Sequence, residues 1–110
     1  MGTIDQDAFR REMEAAGATV SLWGNGPCDR YPVHTHAYRK VICCLAGSIV
    51  FHLLDEDVSL VQGARVVIDS GTAHSADVGP DGVRCAEAQF SCDVRPRGPI
   101  ASESVQEVDR

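Results

Sequence analysis

The sequence predicts an all-β sandwich or barrel carrying one short N-terminal helix. Three observations lead there: a single amphipathic segment at the start, many short strand-like runs after it, and Gly- or Pro-rich turn signals at regular intervals between them. At 110 residues the chain suits one domain with one modest core.

The elements follow in order. Asp5 to Ala16 reads as a helix, because Ile4, Phe9, Met13 and Ala16 fall near one face and Gly17 supplies a C-terminal cap. ATVSLW is the first strand, followed by the loop GNGPCDRYP. VHTHAYRKVICCL reads as a long strand ending near Gly47, and SIVFHLL as its successor. DED makes a turn; VSLVQ and ARVVID flank another at Gly63. After SGT come AHSADV, the strong turn signal GPDG, and VRCAEAQF. The remainder has few large apolar residues and two prolines. The expected organisation is therefore a helix within 1–17, a barrel over 18–92, and an extended or mobile tail over 93–110.

Composition narrows the function classes. A formal net charge of −6 argues against nucleic acid or an anionic membrane as the main partner, since both reward clustered Lys and Arg. A small anion drawn to a local cationic centre stays compatible with it. No apolar run approaches the roughly 18 residues that span a bilayer. The opening MGTIDQDAFRREMEAAG lacks the apolar core of a signal peptide, and the five cysteines are odd in number with no CxxC spacing. Reduced thiols and a cytoplasmic location are the expectation.

Four histidines carry the chemistry: His34, His36, His52 and His74. Residues two apart on a strand share a face, so His34 and His36 can bind one ion together, and His74, just after the Gly71 turn, is the candidate third ligand. Taken singly, each histidine is more often a hydrogen-bonded surface residue, and an HxH pair alone is weak. His52 alternates against Ile49, Phe51 and Leu53, which places it on the opposite face as a surface or interface residue.

The frame around the histidines resembles the cupin superfamily. The first cupin motif has HxH, three or four residues, a glutamate, six residues and a glycine; here stand His34, His36, Lys40 in the glutamate place, and Gly47. The second has glycine, five residues, proline, one residue, glycine, two residues and histidine; here stand Gly63, Asp69 in the proline place, Gly71 and His74. Cys28 replaces the glycine that opens the first motif, and Val78 the asparagine that closes the second. The resemblance covers roughly residues 18 to 90. It implies a jelly-roll β-barrel holding one divalent transition metal on His34, His36 and His74, with iron first and zinc, nickel, copper or manganese compatible. It also implies a homodimer, and chemistry that ranges from dioxygenases through isomerases and lyases to non-catalytic binding modules.

Lys40 is the informative departure. Three neutral imidazoles leave a divalent ion at a net +2, more Lewis-acidic than with a carboxylate and open to an anionic small molecule. Lys40 has three readings: it pairs with a carboxylate, it binds the substrate anion, or it acts as a base. Glu87 is the candidate partner if Cys85, Glu87 and Gln89 face inward; the competing alternation of Ala86, Ala88 and Phe90 leaves that phase open. Tyr38 shares strand parity with His36 and Lys40, and is a candidate acid or hydrogen-bond donor beside its packing role. Cys44 reads as core, Cys43 as outward, Trp23 as packing and Asp69 as turn chemistry.

Overall fold

A computed structural model describes residues 6–90. Helix α1 (Gln6–Ala15) is followed by strands β1 (Thr19–Asn25), β2 (Arg30–His34), β3 (Arg39–His52), β4 (Asp57–Val61), β5 (Arg65–Ile68) and β6 (His74–Phe90). The tail expected over 93–110 lies outside the described residues.

The architecture turns on two long antiparallel strands, β3 and β6, which pair along their length. The first half of β3 and the second half of β6 are flanked by β5 and β1; the other halves are flanked by β4 and β2. Two four-stranded sheets thus share the same long strands. Between them lies the core, with Ile42, Cys44, Ile49, Phe51, Leu60, Val66, Ile68, Val78, Val83 and Cys85 at its centre. Burial pushes the Cys85 thiol up to about 12, so Cys85 is an inert core residue rather than a soft ligand.

Two sequence expectations are corrected by how these strands change sheets. Gly47 and GPDG read as turns, yet both lie within continuous strands. Ladder pairing passes from Gly47↔Val83 to Ile49↔Val78, so Ser48 opposes the four residues 79–82. The turn chemistry is expressed as a bulge, which bends both strands without ending either. Gly47 (φ 77°) and Gly82 (φ 79°) occupy the left-handed region there, and a Cβ on Gly47 would stand 2.0 Å from the Gly82 carbonyl oxygen. Only glycine lets the two backbones approach so closely.

Helix α1 covers the outer face of the first sheet. Phe9 and Met13, four apart, bury against Val20, Val41, Cys43, Leu45, Ala86 and Ala88, a burial worth about 1.5–3 kcal/mol for each large side chain. The helix closes in a Schellman arrangement: Gly17 N–H donates to the Glu14 carbonyl and Ala18 N–H to that of Met13, with Gly17 at φ 97°. Arg65 anchors the helix to β5 through both Glu12 carboxylate oxygens, at 3.1 and 2.9 Å. Cys43 does face out of the barrel, but α1 buries it. The same helix explains why the phase of VRCAEAQF was ambiguous: Val83, Cys85 and Glu87 face the interior while Ala86 and Ala88 are sealed beneath α1. Both faces of that strand are buried, so periodicity alone has no polar side to mark.

Cys28 has φ 64° and is the one described non-glycine residue at positive φ. The left-handed backbone that a glycine would favour is thus kept under a side chain, at a cost near 1 kcal/mol. Cys28→Gly should therefore raise stability by about 1 kcal/mol, read as a rise in the urea midpoint at unchanged m-value; a fall would place Cys28 in a packing role.

On the outer face of the second sheet, His52 lies between Asp57 Oδ1 and Asp77 Oδ2, 2.8 Å from each, and Asp77 accepts from Arg30 Nε at 2.8 Å. His52 is therefore a surface residue, as its alternation indicated. With a carboxylate on each ring nitrogen, the doubly protonated ring satisfies both acceptors, and hydrogen bonds to Asp57 and then Asp77 raise the His52 pKa. A raised folded pKa gives stabilisation that is complete below the unfolded histidine value, about 6.5, and lost as pH rises through the folded one. The stability difference between wild type and His52→Gln should accordingly be greatest below pH ~6.5 and shrink on going alkaline; a flat difference across chemical denaturation at several pH values would contradict it.

Candidate metal centre

HTHAYRK does not form one continuous strand. β2 ends at His34, residues 35–38 bend, and β3 begins at Arg39. The parity argument that aligned Tyr38 with His36 and Lys40 fails for that reason, although all three line the same cavity. Two backbone features fix the bend. His34 pairs directly with His74 across the β2–β6 ladder. Gly71 N–H donates to the His36 carbonyl at 2.8 Å, tying the bend to the turn that delivers His74. Asp69 serves that turn, its carbonyl accepting from Thr72 N–H at 3.2 Å, while its carboxylate lies 3.6 Å from Arg39 Nε.

His34, His36 and His74 converge, each offering a ring nitrogen, all within 4.8 Å of one another. His34 Nδ1 is 2.7 Å from the Pro32 carbonyl and His74 Nδ1 is 2.9 Å from that of Thr72. A carbonyl can only accept, so Nδ1 carries the proton in both rings and Nε2 keeps its lone pair. Burial pushes His74 below the ordinary imidazole value, reinforced by His34 and Lys40 against the opposing pull of the Thr72 carbonyl. Burial also depresses His36, followed by the Lys40 charge. Both shifts, at His36 and His74, favour the neutral ring, the form that binds a metal.

His74 Nε2 tests the fit. It is the one buried side-chain nitrogen or oxygen among the described residues that lacks a hydrogen-bond partner, and leaving such a group unsatisfied costs about 1–3 kcal/mol. A divalent transition metal among the three rings would satisfy it with a donor set that suits such ions. The residues present fit the group.

Lys40 and Glu87 occupy the same cavity of about 280 Å³, whose wall also includes Trp23, Tyr31, Tyr38 and Phe51. Lys40 Nζ lies 3.5 Å from Glu87 Oε1, with both side chains over 90% buried, at 9% and 8% exposure. Register explains the meeting: Lys40 pairs with Gln89 and Ile42 with Glu87, so Lys40 and Glu87 are diagonal neighbours on one face. From the other flank, β1 brings Trp23, whose Nε1–H donates to Glu87 Oε1 at 3.0 Å, and Gln89 Nε2 donates to Oε2 at 2.7 Å. Trp23 is thus a hydrogen-bond donor to a buried carboxylate as well as a packing residue, a role its sequence position at a strand end did not reveal. Tyr31, also missed, packs edge-on against Trp23 at 5.9 Å and hydrogen-bonds Asn25 through its hydroxyl. Tyr38 stacks on His36 with ring centroids 5.0 Å apart.

Two sheets wound on shared strands, with three imidazoles grouped in the cavity, define a jelly-roll barrel with a candidate metal site. No family model matches the chain, and no curated protein does. Solved structures do. The DMSP lyase DddQ from Ruegeria pomeroyi superposes with a TM-score of 0.64 at 18% identity, over 72% of this chain and 41% of that one. A cupin-2 domain protein from Shewanella frigidimarina gives 0.58 at 17%, over 67% and 71%. The cupin domain of Cnp3 from Schizosaccharomyces pombe gives 0.62 at 14%, over 67% and 52%. The chain spans only about two-fifths of the lyase it matches. In fold, the chain is similar to these cupin-domain structures, as its two motifs implied. Among the described residues, no helix is long and apolar enough to cross a membrane.

Proposed function

We propose that this chain is a small-molecule enzyme acting through one divalent transition metal, with dioxygenase-like chemistry on a small anionic substrate. The observation that carries the reading is the buried, unpartnered His74 Nε2 facing two further imidazoles. His34, His36 and His74 would hold the ion, iron first among the candidates. When bound, such an ion supplies Lewis acidity and open coordination positions for an anion. The chain's own residues do the rest. The Pro32 and Thr72 carbonyls fix two ring tautomers, Tyr38 steadies His36 by stacking, and the aromatic wall limits water. Lys40 and Glu87 cancel each other's charge, so the donor set retains a net +2 toward its ligand.

A second reading, a metal-dependent lyase or isomerase, draws on the Lys40–Glu87 pair in the cavity wall, two side chains able to handle a proton. Lyases among the similar folds agree with it, although their likeness is one of fold. The test is metal analysis of protein purified without added metal, followed by turnover assays on short carboxylates with and without oxygen. Stoichiometric iron with oxygen consumption supports the dioxygenase. Equal turnover under anaerobic conditions moves the assignment to a lyase or isomerase. Stoichiometric metal without turnover makes the chain a binding module, and failure to load any metal overturns the site.

A further inference from the structure

Resting on the metal reading, the inner part of the cavity narrows the substrate class. Lys40 is the under-satisfied group there. Its ammonium has three donor hydrogens, yet its only direct side-chain partner among the described residues is Glu87 Oε1 at 3.5 Å, well beyond the 2.7–2.9 Å usual for a charge-assisted bond. Glu87, by contrast, is well supplied, accepting from Trp23 on one oxygen and from Gln89 on the other. The vacant hydrogen-bonding capacity is therefore donor capacity on Lys40. It calls for an acceptor.

The charge of that acceptor follows from Glu87. Lys40 and Glu87 together are neutral, so a second anionic group brought to Lys40 would have most of its attraction offset by the carboxylate beside it and would bear an uncompensated cost of leaving water. A neutral oxygen would not. The histidine end differs, because three neutral imidazoles leave a divalent ion at +2 and favour an anion. Size sets the third limit. A cavity of about 280 Å³, part of it taken by the ion, suits a short ligand.

We propose that the site takes short monocarboxylates which carry a neutral hydroxyl or carbonyl oxygen away from the carboxylate, with that oxygen accepting from Lys40. Glu87, held by Trp23 and Gln89, acts as the specificity residue that rejects a second carboxylate. Sequence position could not show this, because the selectivity lies in the diagonal pairing of β3 with β6 rather than in the histidine frame.

Calorimetry on the zinc-loaded protein tests the proposal without any need for turnover. Three series of four and five carbons, too long for the second oxygen to close a small chelate ring on the zinc, serve as probes: alkyl monocarboxylates, their ω-hydroxy counterparts, and dicarboxylates. At one chain length the hydroxy acid should bind roughly tenfold or more tighter than the alkyl acid, with the dicarboxylate no tighter than the alkyl acid. Lys40→Met should erase the hydroxyl preference while zinc and the alkyl acid still bind. Glu87→Gln should raise dicarboxylate affinity roughly tenfold or more by removing the repelling charge. Should Lys40→Met fail to fold, the Glu87→Gln switch decides alone. Carboxylates that bind without a hydroxyl preference at any length, or a preference that survives Lys40→Met, overturn the inference and leave the metal site standing. Failure of zinc to bind overturns the metal reading itself.

Discussion

His74→Leu is expected to abolish metal-induced stabilisation while leaving the apoprotein within about 1 kcal/mol of wild type, because two opposing terms meet at this residue. The substitution keeps an apolar side chain in a 2% exposed position and removes the nitrogen that lacks a partner. It also loses the bond from Nδ1–H to the Thr72 carbonyl, worth about 1 kcal/mol. Removing an unsatisfied buried polar group offsets that loss. The metal-loaded protein behaves otherwise. Outer-shell partners of a metal cost 10–100-fold in affinity when removed, so losing a direct ligand should cost about a hundredfold or more. A metal present at a thousand times its Kd stabilises the wild type by about 4 kcal/mol, and that increment should nearly vanish in the variant. Thermal melts with and without zinc or iron read both halves. A large apoprotein loss would mark His74 as a structural residue, and retained metal stabilisation would remove it from the ligand set.

The fold and the histidine group were legible in the sequence because both rest on local signals. The HxH spacing, the glycine offsets to Gly47, Gly63 and Gly71, and the strand periodicity each survive in one dimension. What was lost depends on partners distant along the chain. The GPDG run carries turn chemistry, yet whether it reverses the chain or bulges a strand is decided by β3 crossing between sheets at Gly47. Likewise Cys43 reads as outward from its strand phase, and only the packing of α1 makes it buried. Trp23 and Glu87, 64 residues apart, meet because β1 and β6 pair in a particular register, with Trp23 opposite Cys85 and Ser21 opposite Glu87. The bend at 35–38 shows the limit from the other side. The histidines were grouped correctly on a continuous strand that does not exist, since the turn before His74 and the break after His34 achieve the same convergence through the Gly71–His36 hydrogen bond.

Lys40 and Glu87 should show the asymmetry of a buried ion pair with unequal support. Removing one partner of such a pair costs about 3–5 kcal/mol, because the other charge is left unpaired away from water. Glu87→Leu should reach that range. It strands the Lys40 ammonium and also the donors Trp23 Nε1–H and Gln89 Nε2–H, all three of which converge on one carboxylate. Lys40→Met should cost less, about 1–3 kcal/mol, because Glu87 keeps two good hydrogen bonds and loses only a 3.5 Å contact. The double variant Lys40→Met/Glu87→Leu should be more stable than Glu87→Leu alone, since no charge then remains buried, with a coupling energy of about 1–3 kcal/mol. Chemical denaturation of the four proteins, metal-free, measures the cycle. Equal single-variant costs would mean that Trp23 and Gln89 give Glu87 no support, and a coupling near zero would mean that Lys40 and Glu87 are solvated separately. The predicted order instead places the carboxylate at the centre of the cluster and the lysine at its edge, nearest to what enters the cavity.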